Sequence, residues 1–337
     1  MRRRAGWVVG AVVAVAAGGI ALTIGQERRL PADFQRGITF TGYGPGEYGR
    51  PDAVDALEEA AELGVEWVAI TPAWYQTDVR SADIRRHPAR TPADASVEAI
   101  IEEARDLRIE VMLKPHLNPR DGTFRGEISP RDVDRWFVAY ARMLGFYADM
   151  AERTDVSQLA IGTELEGVSG RTQRWRELIK GVRERFGGKL TYAANYDEVL
   201  RIDFWDALDF IGVDAYYPLR AGPDPSVSDI VAAWRKPVRA LERVHERWGK
   251  KVLLTEIGYP SAESALRTPY EGVGDEDQEL QARAIEAALA VWAEPPWAAG
   301  MYLWEWSSAP AGVTEGDRGL ALNGKPAADV IEEWYSD

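Results

Sequence analysis

Residues 252–260 read Val-Leu-Leu-Thr-Glu-Ile-Gly-Tyr-Pro, follow the turn Gly249-Lys250, and stop at Gly258 and Pro260. A short apolar run bounded by turn formers suits a buried strand, and this one delivers a carboxylate, Glu256, at its C-terminal end. An earlier run has the same build: residues 158–161, Gln-Leu-Ala-Ile, lead through Gly162-Thr163 to Glu164. A carboxylate at the end of an apolar strand needs a reason, because burying an unpaired charge is costly. Two of them suggest paired-carboxylate chemistry on a sugar.

Outward from these two runs, apolar strand-like segments alternate with amphipathic helix-like segments from residue 37 onward. Strands are expected over 37–40, 67–70, 110–113, 158–161, 190–193, 210–213, from 252, and over 300–304. Helices are expected over 51–63, 96–107, after Ser129-Pro130, over 172–186, briefly around Phe204, and over 228–248, 276–293 and 327–335. The helix over 228–248 should kink or split before Pro237. Eight strands and eight helices in alternation predict an α/β fold of one kind, a single (β/α)8 TIM barrel spanning residues 31–337. Connections after helices are short, as at 63–66 and 249–250, whereas 72–95, 115–129 and 258–275 after strands are long. Elaborated loops after strands place the functional face at the strands' C-terminal ends.

Residues 1–30 stand apart. Met1-Arg2-Arg3-Arg4 precedes a run from Trp7 to Ile24 without a charge. This pattern reads as a signal peptide, with Ala14-Val15-Ala16 as a cleavage site, or as an uncleaved signal anchor. In either case the arginines favour the cytoplasmic side, so an extracytoplasmic barrel is expected, secreted or held at the membrane by the N-terminal helix.

The 337 residues carry 40 Lys and Arg against 54 Asp and Glu, and beyond residue 30 the balance is 35 against 53, or -18. Such a surface argues against nucleic acid and anionic polymers as partners and is compatible with a neutral substrate. No protein partner is evident from the sequence. The absence of cysteine excludes disulfides and thiolate catalysis. With three histidines and no two at ligand spacing, no metal and no cofactor are expected.

The residues just past each strand form a rim of hydrogen-bonding groups and aromatics: Trp74, His116, Glu164, Asn195, Tyr196, Asp214, Tyr216, Tyr217, Glu256, Trp304, Glu305 and Trp306. Sugars offer hydroxyls to the former and flat C–H faces to the latter. Trp74, Tyr196, Tyr217 and Trp306 are either platforms for a sugar or packing residues. Glu166 reads as a loop brace, and Glu305 as either a substrate contact or a loop hydrogen bond.

Ile-Gly-Thr-Glu-Leu-Glu-Gly, Lys114-Pro115-His116 and Leu-Thr-Glu-Ile-Gly-Tyr resemble glycoside hydrolase family 113, of the clan A retaining glycosidases, over roughly residues 37–335. The resemblance implies Glu164 as general acid/base and Glu256 as nucleophile of a double displacement. It also implies His116, Tyr216 and Trp304 as residues that bind or orient the sugar, with Tyr216 hydrogen-bonded to the nucleophile. The clan has Asn before the acid/base, where it binds the substrate 2-hydroxyl, and this chain has Thr163. The substrate implied is a β-linked neutral polysaccharide or oligosaccharide, first of all β-1,4-mannan. The alternatives are another β-glycosidase or a transglycosylase on a cell-surface glycan, or a non-catalytic barrel that binds carbohydrate.

Overall fold

The computed structural model of the chain describes residues 30–309 and 316–336. Its elements run β1 (Gln35–Thr41), α1 (Pro51–Glu62), β2 (Trp67–Ile70), β3 (Ala73–Gln76), α2 (Asp94–Asp106), β4 (Glu110–Leu113) and β5 (His116–Pro119). The middle of the chain supplies α3 (Val133–Arg153), β6 (Gln158–Thr163), α4 (Glu166–Ser169), α5 (Thr172–Arg183), β7 (Lys189–Asn195) and β8 (Ile211–Asp214). The last part supplies α6 (Val227–Trp248), β9 (Val252–Ile257), α7 (Gln278–Trp292), β10 (Ala298–Ser307) and α8 (Pro326–Tyr335).

Eight of the strands close into a barrel in the order β1-β2-β4-β6-β7-β8-β9-β10, every pair parallel. Every residue of β6 and β9 is buried, as befits strands with barrel interior on one face and helices on the other. Ala69, Met112, Leu253, Ala299 and Tyr302 form a small cluster of their own, apart from the large core between strands and helices. Coming from four different strands, they fill the lumen. The helices are set by local signals: Ser226 and Asp229 make a capping box at the start of α6, and Gly249 ends it in the left-handed region at φ 64°.

Three expectations are corrected. The helix expected to kink or split before Pro237 does not split: it is one continuous element, Val227–Trp248, with Pro237 buried within it. One missing backbone donor does not divide a helix whose apolar face is held by the core. In place of a helix around Phe204 there are two single 3-10 turns, 199–201 and 205–207. The stretches after β2 and β4, read as plain loop, pair as a two-stranded parallel sheet, β3 with β5, in which Ala73 faces His116. The N-terminal apolar run lies outside the described residues; among those described, no helix is long and apolar enough to cross a membrane.

Register shifts mark the upper ends of β6, β9 and β10, between Ala160 and Thr163, Leu254 and Glu256, and Leu303 and Trp306. An extra residue at a strand end re-aims the side chains beside it. These are the three strand ends that carry Glu164, Glu256 and Trp304.

Candidate active site

At the C-terminal end of the barrel a cleft of about 560 Å³ is lined by Phe124, Arg125, Glu164, Asn195, Tyr196, Tyr216, Glu256, Tyr270, Trp304 and Leu320. The two strand-end glutamates, ninety-two positions apart in the chain, therefore face one cavity.

Glu256 arrives on β9 among hydrogen-bond donors. The Tyr216 hydroxyl donates to its Oε2 at 2.9 Å. The fully buried Lys114, at the end of β4, donates to Oε1 and lies 3.4 Å from Asp214 Oδ2. Asp214 in turn accepts from Thr255 Oγ1 at 2.8 Å. Burial, with the neighbouring Glu256 charge, pushes the Asp214 carboxyl well above its usual range, against the pull of Lys114. His116 Nε2 stands 3.6 Å from Glu256 Oε1. Burial, then Arg125 and Lys114, push the His116 imidazole well below its usual value, so the ring is neutral at neutral pH. It stacks beside Trp304, ring centres 6.2 Å apart.

Glu164 sits in a different environment. Its backbone takes the left-handed conformation, φ 53°, which turns the side chain out of the line of β6. A non-glycine residue there is strained by roughly 1–2 kcal/mol. Two hydrogen bonds hold the turn: Glu164 N to Ala193 O at 2.8 Å, and Leu165 N to the Tyr192 hydroxyl at 2.9 Å. Burial pushes the Glu164 carboxyl up to about 7, with Glu256 adding to the rise and Arg125 opposing it. The Arg125 guanidinium is 3.8 Å from Glu164 Oε2, too far for a hydrogen bond but near enough to act through charge.

Behind Glu164 lies a further carboxylate, Glu198, with no exposed surface. It accepts from the Tyr192 hydroxyl at 2.8 Å and from Asn195 N at 3.0 Å. Burial pushes it up to about 7 as well. Since Tyr192 also accepts from Leu165 N, Glu198 anchors the backbone next to Glu164 through one shared phenol.

Not every rim residue expected from the sequence reaches the cleft. Asn195, Tyr196, Tyr216 and Trp304 line it, and His116 is beside Glu256. Thr163 is buried, its hydroxyl without a hydrogen-bond partner. Trp306 lies in the barrel wall, fully buried, its indole N–H given to Ala56 O at 2.8 Å, so no sugar can stack on it. Trp74 packs against Phe146 and gives its indole N–H to the Tyr147 hydroxyl at 3.0 Å. Tyr217 packs between Tyr196 and Trp234. Glu305 accepts from the Tyr43 hydroxyl at 3.1 Å, and Glu166 pairs with Arg201 as a loop brace. Lys114, Arg125, Glu198, Phe124 and Tyr270 carry no sequence signal of their own. Lys114 stands inside a motif noted for its histidine, and the others sit in loops that read as polar connections.

The chain matches the model of Glycoside Hydrolase Family 113 over residues 38–325. It is similar to a family 113 β-1,4-mannanase solved in complex, at 27% identity and a TM-score of 0.82 over 90% of this chain and 99% of that one. It is also similar to the family 113 β-mannanase AaManA of Alicyclobacillus acidocaldarius, at 32% identity and a TM-score of 0.82 over 90% of this chain and 97% of that one. An endo-1,4-β-D-mannanase of Thermotoga petrophila, at 13% identity and a TM-score of 0.58 over 89% of this chain and 98% of that one, shares the fold. No curated protein sequence matches. With the family model covering nearly the whole barrel and the two glutamates at the mouth of one cleft, the chain belongs to glycoside hydrolase family 113 and is a glycoside hydrolase.

Proposed function

We propose that the chain hydrolyses β-1,4-mannan or a mannan-derived oligosaccharide with retention of configuration, Glu256 acting as nucleophile and Glu164 as acid/base. The observation that carries this reading is the contrast between the two carboxyls in one cleft. Glu164 is pushed up to about 7 by burial, so near neutral pH much of it holds the proton that a leaving group needs. Glu256 accepts hydrogen bonds from Lys114 and Tyr216, which fix its two oxygens at the cleft as a nucleophile facing an anomeric carbon requires.

In the first step the Glu256 carboxylate bonds to the anomeric carbon as the glycosidic C–O bond breaks, and the Glu164 proton goes to the departing oxygen. In the second, Glu164, now ionised, takes a proton from water, whose oxygen displaces Glu256 and frees the sugar. In this reading His116, 3.6 Å from Glu256, holds a sugar hydroxyl and the Trp304 indole stacked beside it takes a C–H face. Mannan as the substrate is supported by the family 113 relatives at 27% and 32% identity, both β-mannanases. Residues 1–30 support an extracytoplasmic location, with residues 31–337 as one catalytic domain.

The test is release of reducing ends from mannan, glucomannan, cellulose and xylan by the purified chain. Mannan and glucomannan should be cleaved faster than the other two. Preferred cleavage of cellulose or xylan would make another β-glycosidase activity the better reading, and products dominated by sugar transfer would make it a transglycosylase.

A further inference from the structure

We propose that a second pocket beside the cleft, between the loop after β8 and α6, binds an anionic sugar residue, so that the substrate is a mannan chain bearing scattered acidic groups. This rests on the mannan reading for the backbone that crosses the cleft.

The pocket has a volume of about 560 Å³, and Tyr196, Tyr217, Arg220, Ala233, Lys236 and Pro237 stand in its wall. Tyr196 also lines the cleft that holds Glu164 and Glu256, so the two cavities adjoin and one glycan can reach into both. The rings of Tyr196 and Tyr217 lie 5.2 Å apart and offer the flat faces that sugar C–H bonds cover.

The charge of the pocket is opposite to that of the protein. Beyond residue 30 the chain carries 35 basic against 53 acidic residues, a balance of -18. Yet two exposed cations, Arg220 and Lys236, line this pocket and no carboxylate does. Among the described residues neither side chain has an ion pair or a hydrogen bond, whereas Arg247, further along α6, is paired with Asp203. Burial, then the charge of Asp197, raises both tyrosine phenols, but Asp197 neither lines the pocket nor pairs with either cation. Two unpaired cations at one concavity of an acidic protein attract an anion. The overall charge still repels a polyanion, so the ligand that fits is a largely neutral chain with isolated anionic residues.

Two further groups in the same wall are free to meet hydroxyls. The Tyr217 hydroxyl is buried without a hydrogen-bond partner. Pro237 has no N–H, so the carbonyl of Ala233, one turn earlier in α6, lacks the donor that a helix would give it. The wall is also held in place: the loop that carries Arg220 is pinned by Leu219 N to Leu266 O at 2.6 Å, and Lys236 rides on α6. Groups fixed before the ligand arrives lose little freedom on binding. Cations, a free hydroxyl and flat rings in one concavity match a sugar that carries a carboxylate or a phosphate.

The experiment measures kcat/KM of the full chain on plain β-1,4-mannan, on the same mannan sparsely oxidised at C6 to the carboxylate, and on mannan sparsely phosphorylated at C6. The variants are Arg220→Ala, Lys236→Glu and Arg239→Ala, the last an exposed cation of α6 outside the pocket. On plain mannan all three should stay within about twofold of the parent, as exposed charges contribute little there. On an anionic polymer Arg220→Ala should lose about threefold to tenfold, Lys236→Glu more and Arg239→Ala nothing, and added salt should erase the differences. The polymer that shows the larger loss names the anion. Equal losses on all three polymers, no loss on either anionic polymer, or as large a loss in Arg239→Ala would overturn the pocket. If the parent chain cleaves none of the three, the mannan reading fails, and the pocket is judged by affinity electrophoresis in gels that contain the same polymers. Retardation by an anionic mannan that Arg220→Ala loses would support it, and equal mobility of parent and variant would contradict it.

Discussion

The Tyr216 hydroxyl donates to Glu256 Oε2 across 2.9 Å, and both side chains are buried. One carboxylate oxygen is thereby fixed while Lys114 holds the other, so Glu256, the nucleophile of the proposed reaction, is held in a single orientation. Tyr216→Phe removes that bond and keeps the ring. A hydrogen bond to a charged group contributes about 1.5–3 kcal/mol, so kcat/KM should fall by roughly tenfold to a hundredfold. Steady-state kinetics on mannan oligosaccharides checks this, and an unchanged value would mean that Glu256 needs no such support.

Arg125 pulls against the burial that raises Glu164. Removing a positive charge beside a carboxyl makes the ionised form less favourable, so its proton is lost at higher pH. In Arg125→Met the basic limb of the kcat/KM profile, which reports the free enzyme's acid, should move upward from its place near 7. A limb that stays in place or moves down would contradict Glu164 as the group that must be protonated.

Lys114 is enclosed between Glu256 and Asp214 with no exposed side-chain surface. Lys114→Met leaves two buried carboxyls facing each other, and breaking a buried pair costs about 3–5 kcal/mol. Denaturant unfolding should show that loss. Adding Asp214→Asn should recover part of the stability without restoring turnover, because Glu256 still lacks its partner. A single variant as stable as the parent would show that the lysine contributes nothing to the fold.

Two buried glutamates, Glu164 and Glu198, are both raised to about 7 from an ordinary 4.5. A raised value means that the folded chain binds the proton more tightly than the unfolded one. The stability this confers is complete below about 4.5 and is lost as pH rises through about 7. Glu198→Gln removes one of the two, so the fall in Tm between pH 5 and pH 8 should be shallower than in the parent chain. Thermal unfolding at the two pH values decides it, and parallel declines would contradict the assignment.

The barrel was legible because its strands are short apolar runs separated by Gly and Pro, and because β6 and β9 each deliver a glutamate that burial alone would disfavour. The expected strand end misled at β10. The strand expected over 300–304 puts Trp304 and Trp306 together on the rim, but β10 runs on to Ser307 with a register shift between Leu303 and Trp306. One indole goes to the cleft and the other into the wall. The pairing of β3 with β5 was hidden because Ala73–Gln76 and His116–Pro119 are four residues each, too short for a period to declare itself. Glu198 stood among Asn195, Tyr196 and Asp197, where a glutamate reads as solvated. Only the tertiary fold, which brings Tyr192 over it, reveals that it is buried.

The central claim is that Glu256 and Glu164 divide the reaction between them as nucleophile and proton donor. It is tested most directly by turnover of an aryl β-mannoside with a good leaving group, in Glu256→Ala and Glu164→Ala, each with and without azide. The account predicts no hydrolysis by Glu256→Ala, and for Glu164→Ala a slow turnover that azide accelerates while yielding the β-mannosyl azide. Undiminished hydrolysis by Glu256→Ala, or a Glu164→Ala variant indifferent to azide, would contradict it.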